Sequence, residues 1–219
     1  FKYIEQPTPD GLAQAFILGK DFIGNDDACL ILGDNIFYGH GINDMMTNAV
    51  LNVSNKNIAT IFGYHVNDPE NYGIVDFDTF GKALSIEEKP NNPKSNYAVT
   101  GLYFYPNDVV KKVTKVLPSK RGELEISTLN QMYLMENRLN VEIMGRGYAW
   151  LDTGTHKNLL EASTFIEVIE RRQGLKVACI EEVAYKKSYI SKDQLIKLAE
   201  TLSDNEYKKY LLRCAREVV

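Results

Sequence analysis

The sequence has few of the residues that mark disulfide-rich, zinc-binding or membrane proteins. Its three cysteines, Cys29, Cys179 and Cys214, are an odd number without C-x-x-C spacing, which argues against a disulfide framework and against a zinc site. A reducing cytoplasm is therefore the expected location. No apolar stretch reaches the roughly 18 residues of a membrane span, so we expect no membrane partner.

Basic residues are not concentrated anywhere either. The formal net charge is −4, and basic residues form no run beyond short pairs such as Lys111 and Lys112. The sequence therefore lacks the concentrated positive charge that is typical of nucleic-acid-binding proteins. With 44% hydrophobic and 25% charged residues, the composition is that of an ordinary globular protein. A chain of 219 residues can form one sizeable core with a small appendage.

The first 66 residues alternate between strand and helix patterns. The predicted order is a strand at 1–5, a helix at 12–18, a strand at 28–32 buried on both faces, a helix at 42–53 and a strand at 58–66. This βαβαβ pattern predicts an α/β fold: a mostly parallel, Rossmann-like sheet with helices on both faces, joined by right-handed crossovers.

From Tyr72 onward the pattern changes. Residues 74–78 and 82–87 flank a short turn and predict an inserted β-hairpin. The remaining predictions are strands at 97–105, 141–144 and 148–151, and helices at 107–116, 123–136, 156–173 (capped by Thr155), 192–202 and 204–216. We expect an α/β domain over residues 1–174 and a C-terminal helical appendage over 175–219.

Two aspartates far apart in the sequence, Asp34 and Asp152, each follow a strand-like apolar run. Ligands collect at the carboxyl ends of strands in open α/β sheets, and paired carboxylates suit a hard cation such as Mg²⁺. Taken singly, each aspartate is more often a loop or capping residue. For His40, His65 and His156, a hydrogen-bonded structural role is the better interpretation.

Three further residues have an ordinary interpretation and a functional one. Lys89 lies in a segment that is most often a solvated corner, but a lysine at a strand end can neutralise a phosphate. Gln6 precedes a turn, and its amide offers the donor and acceptor that would read a pyrimidine edge. Trp150, the only tryptophan, is by default a packing residue.

Seven segments, taken in order, closely resemble those of the glucose-1-phosphate thymidylyltransferases, members of the sugar-phosphate nucleotidyltransferase family. The resemblance runs essentially end to end. The segments are Gln-Pro-Thr-Pro-Asp-Gly-Leu-Ala-Gln-Ala at 6–15, Leu-Gly-Asp-Asn-Ile-Phe-Tyr-Gly at 32–39, Asn-Asp-Pro-Glu-Asn-Tyr-Gly at 67–73, Glu-Glu-Lys-Pro at 87–90, Tyr-Ala-Val-Thr-Gly-Leu-Tyr at 97–103, Arg-Gly-Glu-Leu-Glu-Ile at 121–126 and Trp-Leu-Asp-Thr-Gly-Thr at 150–155.

The resemblance implies Mg²⁺-dependent transfer from dTTP to glucose 1-phosphate, which yields dTDP-glucose and pyrophosphate as the first step toward dTDP-rhamnose. It also implies a homotetramer with dTDP-rhamnose as feedback ligand. The implied nucleotide contacts are Gln6, Gly11 and Asp34, and the implied metal ligands are Asp34 and Asp152. The implied sugar contacts are Tyr72, Gly73, Glu88, Lys89, Val99 and Trp150, with Asp34, Lys89 and Asp152 as the catalytic set.

One feature of the family has no counterpart here. Its members begin with a Gly-rich loop that carries an arginine, followed by a lysine, and these hold the triphosphate. We therefore expect a truncated chain that by itself binds nucleotide weakly and turns over little. Two alternatives stay open: a non-catalytic sugar-nucleotide-binding or assembly module, and a metal-dependent glycosyltransferase that uses Asp76 and Asp78 as an Asp-x-Asp pair.

Overall fold

The computed structural model describes residues 1–217. The chain forms two compact units, Phe1–Asp152 and Thr153–Val219, and each is described by itself below. The residues of each unit contact one another more than they contact the rest of the chain. The functional division expected from the sequence, 1–174 and 175–219, stays a prediction.

The first unit contains all the described strands. They are β1 (Ala28–Ile31), β2 (Asn35–Gly39), β3 (Ala59–His65), β4 (Gly73–Phe77), β5 (Ala83–Glu88), β6 (Tyr97–Tyr105), β7 (Leu139–Met144) and β8 (Tyr148–Asp152). Its described helices are α1 (Gln14–Leu18), α2 (Lys20–Ile23), α3 (Ile42–Lys56), α4 (Val109–Lys112) and α5 (Ile126–Met135), with 3-10 turns at Pro69–Asn71 and Val113–Lys115.

The α/β fold is confirmed, but the larger sheet is mixed rather than mostly parallel. Its order is β5-β4-β6-β3-β7, with β1 also paired to β6. The described pairing of β3 with β7 is parallel, and the other pairings in this sheet are antiparallel. Because β6 runs antiparallel to both β1 and β3, those two strands share one direction, as the βαβ pattern predicted. The antiparallel strand between them arrives from later in the sequence.

Helices cover both faces of this sheet, as expected, and β6 shows how. Side chains alternate between the two faces of a strand. Tyr103 and Tyr105 belong to a buried cluster that includes residues of α1, α4 and α5. Leu102 and Phe104 belong to a second cluster with Ala49 of α3.

Two sequence predictions for the start of the chain were wrong. Residues 1–5 form no strand, and the side chains of Phe1 and Tyr3 lie almost wholly in solvent. In β1, exposed positions alternate with half-buried ones, and Ile31 is 59% exposed. An apolar run shows that a segment can be buried, but burial also requires a neighbouring element on each face.

The inserted hairpin is confirmed as β4 and β5. Asp78 stabilises its turn, because the Oδ1 atom accepts hydrogen bonds from the backbone N–H groups of Phe80 and Lys82, both at 2.8 Å. This carboxylate is thus used by the turn, which is the ordinary role of aspartate at such a position.

Strand β2 was missed by the sequence analysis, which placed no strand between β1 and α3. It pairs antiparallel with β8 in a separate two-stranded sheet, in a register that sets Asn35 opposite Asp152. A strand of five residues after a Gly-Asp turn is too short to be distinguished from a loop by periodicity.

Asp108 lies at the centre of an ionic cluster beside α5. Its carboxylate accepts hydrogen bonds from the Tyr133 hydroxyl and from the Arg138 guanidinium, each at 2.7 Å. Burial acts to raise the pKa of Asp108, but the bonds from Arg138 and Tyr133 outweigh it and hold the pKa below its ordinary range.

Acid should therefore lower the stability of the folded protein, partly by protonating Asp108. Because the pKa is lower in the folded state, the ionised carboxylate adds stability above the unfolded-state pKa of about 3.9, and this stability is lost as pH falls through the folded-state pKa. We expect Asp108→Asn to flatten the fall of the melting temperature on acidification. The change Asp26→Asn in an exposed loop is the control, and equal slopes for wild type and Asp108→Asn would contradict the assignment.

The second unit is helical in its described part. It contains α6 (His156–Gln173), α7 (Ile180–Lys186), α8 (Lys192–Glu200) and α9 (Glu206–Arg216). The predicted cap of α6 is confirmed, since the Thr155 hydroxyl accepts a hydrogen bond from the backbone N–H of Asn158 at 3.1 Å. Helix α7 was not predicted. None of the described helices is both long enough and apolar enough to cross a membrane.

Candidate active site

A cavity of ≈ 290 Å³ opens in the first unit, where the two sheets and the segment before α5 meet. It brings together eight of the residues selected from the sequence, which come from five separate segments. They are Asp34, Tyr72, Gly73, Glu88, Lys89, Val99, Trp150 and Asp152. Residues that the sequence analysis did not select also line it, among them Asn35, Gly101, Tyr103, Arg121, Glu123, Glu125 and Ser127.

Asp34 and Asp152 become neighbours through the β2–β8 pairing. Asp34 immediately precedes β2, and Asp152 is the last residue of β8, directly opposite Asn35. The Asn35 amide donates a hydrogen bond to Asp34 Oδ1 at 2.8 Å, and the Tyr72 hydroxyl donates one to Asp152 Oδ2 at 3.1 Å. Each carboxylate is thus oriented by a neighbouring side chain.

Tyr72 acts here as a donor. Burial, followed by the charge and hydrogen bond of Asp152, raises the pKa of Tyr72 well above its ordinary value, so the phenol keeps its proton. Its ring also meets the Trp150 indole edge-on, with centroids 5.3 Å apart.

The donor set at Asp34 and Asp152 fits a hard divalent cation. Mg²⁺ commonly takes one or two protein carboxylates and completes its coordination with water and substrate phosphates. Within residues 1–217, no group of three or more His, Cys, Asp or Glu side chains could hold a metal ion. A site built from two carboxylates is the kind that these residues can form.

Glu88 is fixed at the end of β5 by a hydrogen bond from the buried hydroxyl of Ser127 on α5. Gly73 lies opposite Glu88 in the hairpin, and a Cβ atom there would come within 2.9 Å of the Ser127 hydroxyl. The cavity therefore has a backbone wall beside an oriented carboxylate, an arrangement that suits the hydroxyl groups of a polar ligand.

Lys89 has a backbone conformation that the sequence did not indicate. Its φ is +42°, which is unusual for a residue with a side chain and more so before a proline. The Lys89 N–H donates to the Tyr72 carbonyl at 2.9 Å and holds this conformation. Strained backbone of this kind concentrates at functional sites, and Lys89 is one of the residues that line the cavity.

Arg121 is a second cation of the cavity. Its guanidinium contacts both carboxylate oxygens of Glu125, with Nη2 3.0 Å from each, and lies 3.6 Å from Glu88. Glu125 is 7% exposed, so its charge is well shielded from water and holds the arginine firmly. Arg121 lies within one of the seven recognised segments, and its charge was the signal that could have selected it.

The cavity is acidic overall. Its lining contains five carboxylates (Asp34, Glu88, Glu123, Glu125 and Asp152) and two cationic side chains, Lys89 and Arg121. An anionic ligand entering such a cavity would be repelled unless additional positive charge accompanied it, as a divalent cation does.

Two selected residues, Gln6 and Gly11, do not line the cavity. The Gln6 amide donates to Gln14 Oε1 at 2.6 Å, and Gln6 is exposed. Gly11 has φ +104°, and a Cβ atom there would lie 2.5 Å from the Leu124 carbonyl oxygen. The structure thus gives Gly11 a steric role. Leu12, the next residue, does line the cavity.

The Asp-x-Asp pair lies elsewhere. Neither Asp76 nor Asp78 lines the cavity, and Asp78 is used by the hairpin turn.

Residues 1–168 match the family described as "Nucleotidyl transferase". Curated relatives named glucose-1-phosphate thymidylyltransferase include proteins of Neisseria meningitidis serogroup A, 51% identical over 98% of this chain and 74% of the relative, and of Xanthomonas campestris pv. campestris, 53% identical over 98% and 72%. A third relative, from Mycobacterium tuberculosis, is 50% identical over 96% of this chain and 72% of the relative's length.

Solved structures agree with this similarity. A Bacillus anthracis protein in complex with sucrose, provisionally named glucose-1-phosphate thymidylyltransferase, superposes with a TM-score of 0.64 at 40% identity. The match covers 75% of this chain and 64% of that chain, so this chain spans somewhat less than two thirds of the solved relative. A UDP-glucose pyrophosphorylase in complex with UDP-glucose has a TM-score of 0.66 at 22% identity, which shows a shared fold.

Proposed function

This chain belongs to the nucleotidyl transferase family, and we propose that it transfers a thymidylyl group from dTTP to glucose 1-phosphate in a Mg²⁺-dependent reaction. The products are dTDP-glucose and pyrophosphate. The observation that carries the proposal is the cavity that gathers two neighbouring carboxylates, two cationic side chains and an oriented Glu88 from distant segments. The names of the relatives at about 50% identity supply the choice of sugar and nucleotide.

The chemistry needs few groups. A phosphate oxygen of glucose 1-phosphate attacks the α-phosphorus of dTTP, and the bond from that phosphorus to the bridging oxygen of the β-phosphate breaks. The electron pair leaves with pyrophosphate. Because the attacking oxygen is already ionised at neutral pH, no general base is required. Catalysis then rests on in-line positioning and on neutralising charge.

Different residues of this chain would position the phosphates and neutralise their charge. Lys89 and Arg121 would neutralise and orient the sugar phosphate, the first as a point charge and the second through its planar guanidinium. Asp34 and Asp152 would hold Mg²⁺. When bound, the cation stabilises negative charge on the transferring phosphate.

Sugar binding would use other residues that line the same cavity. Glu88 accepts hydrogen bonds from glucose hydroxyls, Gly73 offers its backbone at close range, and Tyr72, Val99 and Trp150 form the wall. Carboxylates and aromatic surfaces suit the polar edges and apolar faces of a pyranose. On the nucleotide side, Asp34 lies near the nucleotide sugar, and Gln6 and Gly11 contact the thymine, with the Gln6 amide turning from Gln14 to the base.

The wider proposal follows the resemblance. In it dTDP-glucose feeds dTDP-rhamnose synthesis in the cytoplasm, the protein assembles as a homotetramer, and dTDP-rhamnose is a feedback ligand. The division into a transferase domain over 1–174 and a helical appendage over 175–219 belongs to the same proposal.

The test is Mg²⁺-dependent pyrophosphate release with glucose 1-phosphate and, in turn, dTTP, UTP, ATP and GTP, together with calorimetric binding of dTDP-glucose. We expect release to be fastest with dTTP. Release with another nucleotide instead would overturn the nucleotide assignment. If none of the four nucleotides gives pyrophosphate release but dTDP-glucose binds, a non-catalytic binding module is favoured. Glucose transfer from dTDP-glucose to an acceptor would favour a glycosyltransferase.

A further inference from the structure

Asn35 makes three hydrogen bonds that join separate parts of the cavity. Its amide nitrogen donates to Asp34 Oδ1 at 2.8 Å. Its amide oxygen accepts from the Trp150 indole Nε1–H at 2.7 Å and from the backbone N–H of Gly101 in β6 at 3.0 Å. One small side chain thus contacts a candidate metal ligand, the candidate sugar wall and the larger sheet.

The orientation of this amide is determined by its partners. Both Trp150 and Gly101 present N–H donors, so the group between them must be the amide oxygen. The amide nitrogen then necessarily faces the Asp34 carboxylate, which is an acceptor. A flipped amide would set two pairs of donors against each other and would place its oxygen against an anion.

The surroundings of Asn35 are closely packed. A Cβ atom at Gly101 would lie 2.4 Å from Asn35 Oδ1 and 2.9 Å from the Leu32 Cβ atom. On the other side, the Trp150 ring packs edge-on against Tyr64 and Tyr72, at centroid distances of 5.9 and 5.3 Å. Both hydrogen-bond partners of the amide oxygen are therefore held by packing.

We propose that Asn35 is a positioning residue that couples the Asp34 carboxylate to the Trp150 indole, so that cation binding at Asp34 changes the hydrogen bonding of the candidate sugar wall. The inference rests on the proposed function for the identity of the cation and of the sugar. It assigns Asn35 a role through its neighbours and requires no contact between Asn35 and a ligand.

The physical basis is the polarisation of an amide by its partners. A carboxylate that accepts from the amide N–H increases the negative charge on the amide oxygen, which strengthens the two bonds that this oxygen accepts. A divalent cation on Asp34 withdraws that charge. The bonds from Trp150 and Gly101 should weaken together, because they end on the same oxygen atom.

Two NMR signals report these bonds directly. Trp150 is the only tryptophan, so its indole N–H gives a single resonance, and Gly101 gives a backbone amide resonance. The experiment titrates wild type with Mg²⁺ alone, without nucleotide or sugar, and follows both resonances, while calorimetry measures cation binding independently. We expect both resonances to move upfield with the same half-saturating Mg²⁺ concentration.

The variant Asn35→Asp tests the coupling through the same three partners. Its carboxylate keeps an acceptor for Trp150 and Gly101, replaces the donor that faces Asp34 by a second anion, and adds an oxygen ligand for the cation. We expect Mg²⁺ to bind more tightly than in wild type and the two shifts at saturation to grow at least twofold, because the cation then withdraws charge directly from the group that accepts both bonds. A residue that merely supported the fold would leave both shifts unchanged. The variant Asn35→Ser, which is too short to span the three partners, also serves if Asn35→Asp fails to fold: it should reduce both shifts to less than half while Mg²⁺ still binds.

The matched control is Asn140→Asp. The Asn140 amide also donates to a carboxylate, Glu142 Oε1 at 2.8 Å, but it lies in β7 and outside the cavity lining. In this variant the Mg²⁺-induced shifts of the Trp150 and Gly101 resonances should equal those of wild type. The inference is overturned if calorimetry shows binding but the wild-type resonances do not move, or if they move equally in Asn35→Asp. Absence of Mg²⁺ binding to wild type would instead refute the metal assignment, and the coupling with it.

Discussion

Changing Asp152 to asparagine should lower kcat/KM for Mg²⁺-dependent pyrophosphate release by about 100-fold or more, the cost of removing one group that stabilises transition-state charge. The neutral amide is a poorer ligand for Mg²⁺, and the site offers only Asp34 beside it. The measurement is the rate at saturating and limiting Mg²⁺, with the cation affinity from calorimetry. We expect Asp34→Asn to behave similarly, because the two carboxylates would hold one ion.

The control for this prediction is Asp76→Asn, which makes the same chemical change in the hairpin outside the cavity lining. Its activity should equal that of wild type. Full pyrophosphate release by Asp152→Asn would contradict the metal site. Loss of glucose transfer from dTDP-glucose in Asp76→Asn would favour the Asp-x-Asp pair of a glycosyltransferase. The Tyr72 hydroxyl that donates to Asp152 should still pair with the asparagine carbonyl, so the local fold is preserved.

Replacing Gly11 by alanine should destabilise the first unit by about 3 kcal/mol, since backbone strain and overpacking each cost about 1–3 kcal/mol. The backbone φ of +104° disfavours any residue with a Cβ atom. The new methyl group would also lie within 3 Å of the Leu124 N, C and O atoms, and these are backbone atoms that cannot turn aside. Leu124 is held there by a hydrogen bond from its N–H to the Asp10 carbonyl at 2.7 Å.

Urea unfolding followed by the fluorescence of Trp150 measures this loss, because the only tryptophan lies in the first unit. The matched control is Gly81→Ala, where φ is +79° but nothing lies within 4 Å of the new Cβ atom. This control introduces the backbone strain without the steric overlap, so its free energy of unfolding should fall by about 1 kcal/mol. A Gly11→Ala protein as stable as wild type that no longer bound dTDP-glucose would show that Gly11 serves the nucleotide rather than the fold.

The sequence predicted the elements better than their partners. Strand β6 and helix α6 were placed almost to the residue, because long periodic segments carry their own signal. The antiparallel insertion of β6 between β1 and β3 was missed, since strand order depends on contacts between segments that are distant in sequence. The strained backbone of Lys89 was equally invisible, because it is imposed by the hydrogen bond to Tyr72.

In the candidate site, too, the sequence indicated individual residues but not their contacts. Charge and motif selected Asp34, Glu88, Lys89 and Asp152, and the structure brings these four into one cavity. Arg121 and Asn35 were passed over although both lie in recognised segments. Their importance depends on what they contact: Arg121 on Glu125, and Asn35 on Asp34 in the preceding turn, Trp150 in β8 and Gly101 in β6.

The sequence by itself determined the α/β class, the family resemblance and the chemical types available: two strand-end aspartates, a lysine before proline and one tryptophan. Only the tertiary structure decided that the two aspartates are neighbours, since that follows from the pairing of β2 with β8. Local propensity acts between residues a few positions apart, whereas a site is made by contacts across the chain. Those contacts form when apolar faces are buried together, and the relative positions of the polar groups follow from that packing.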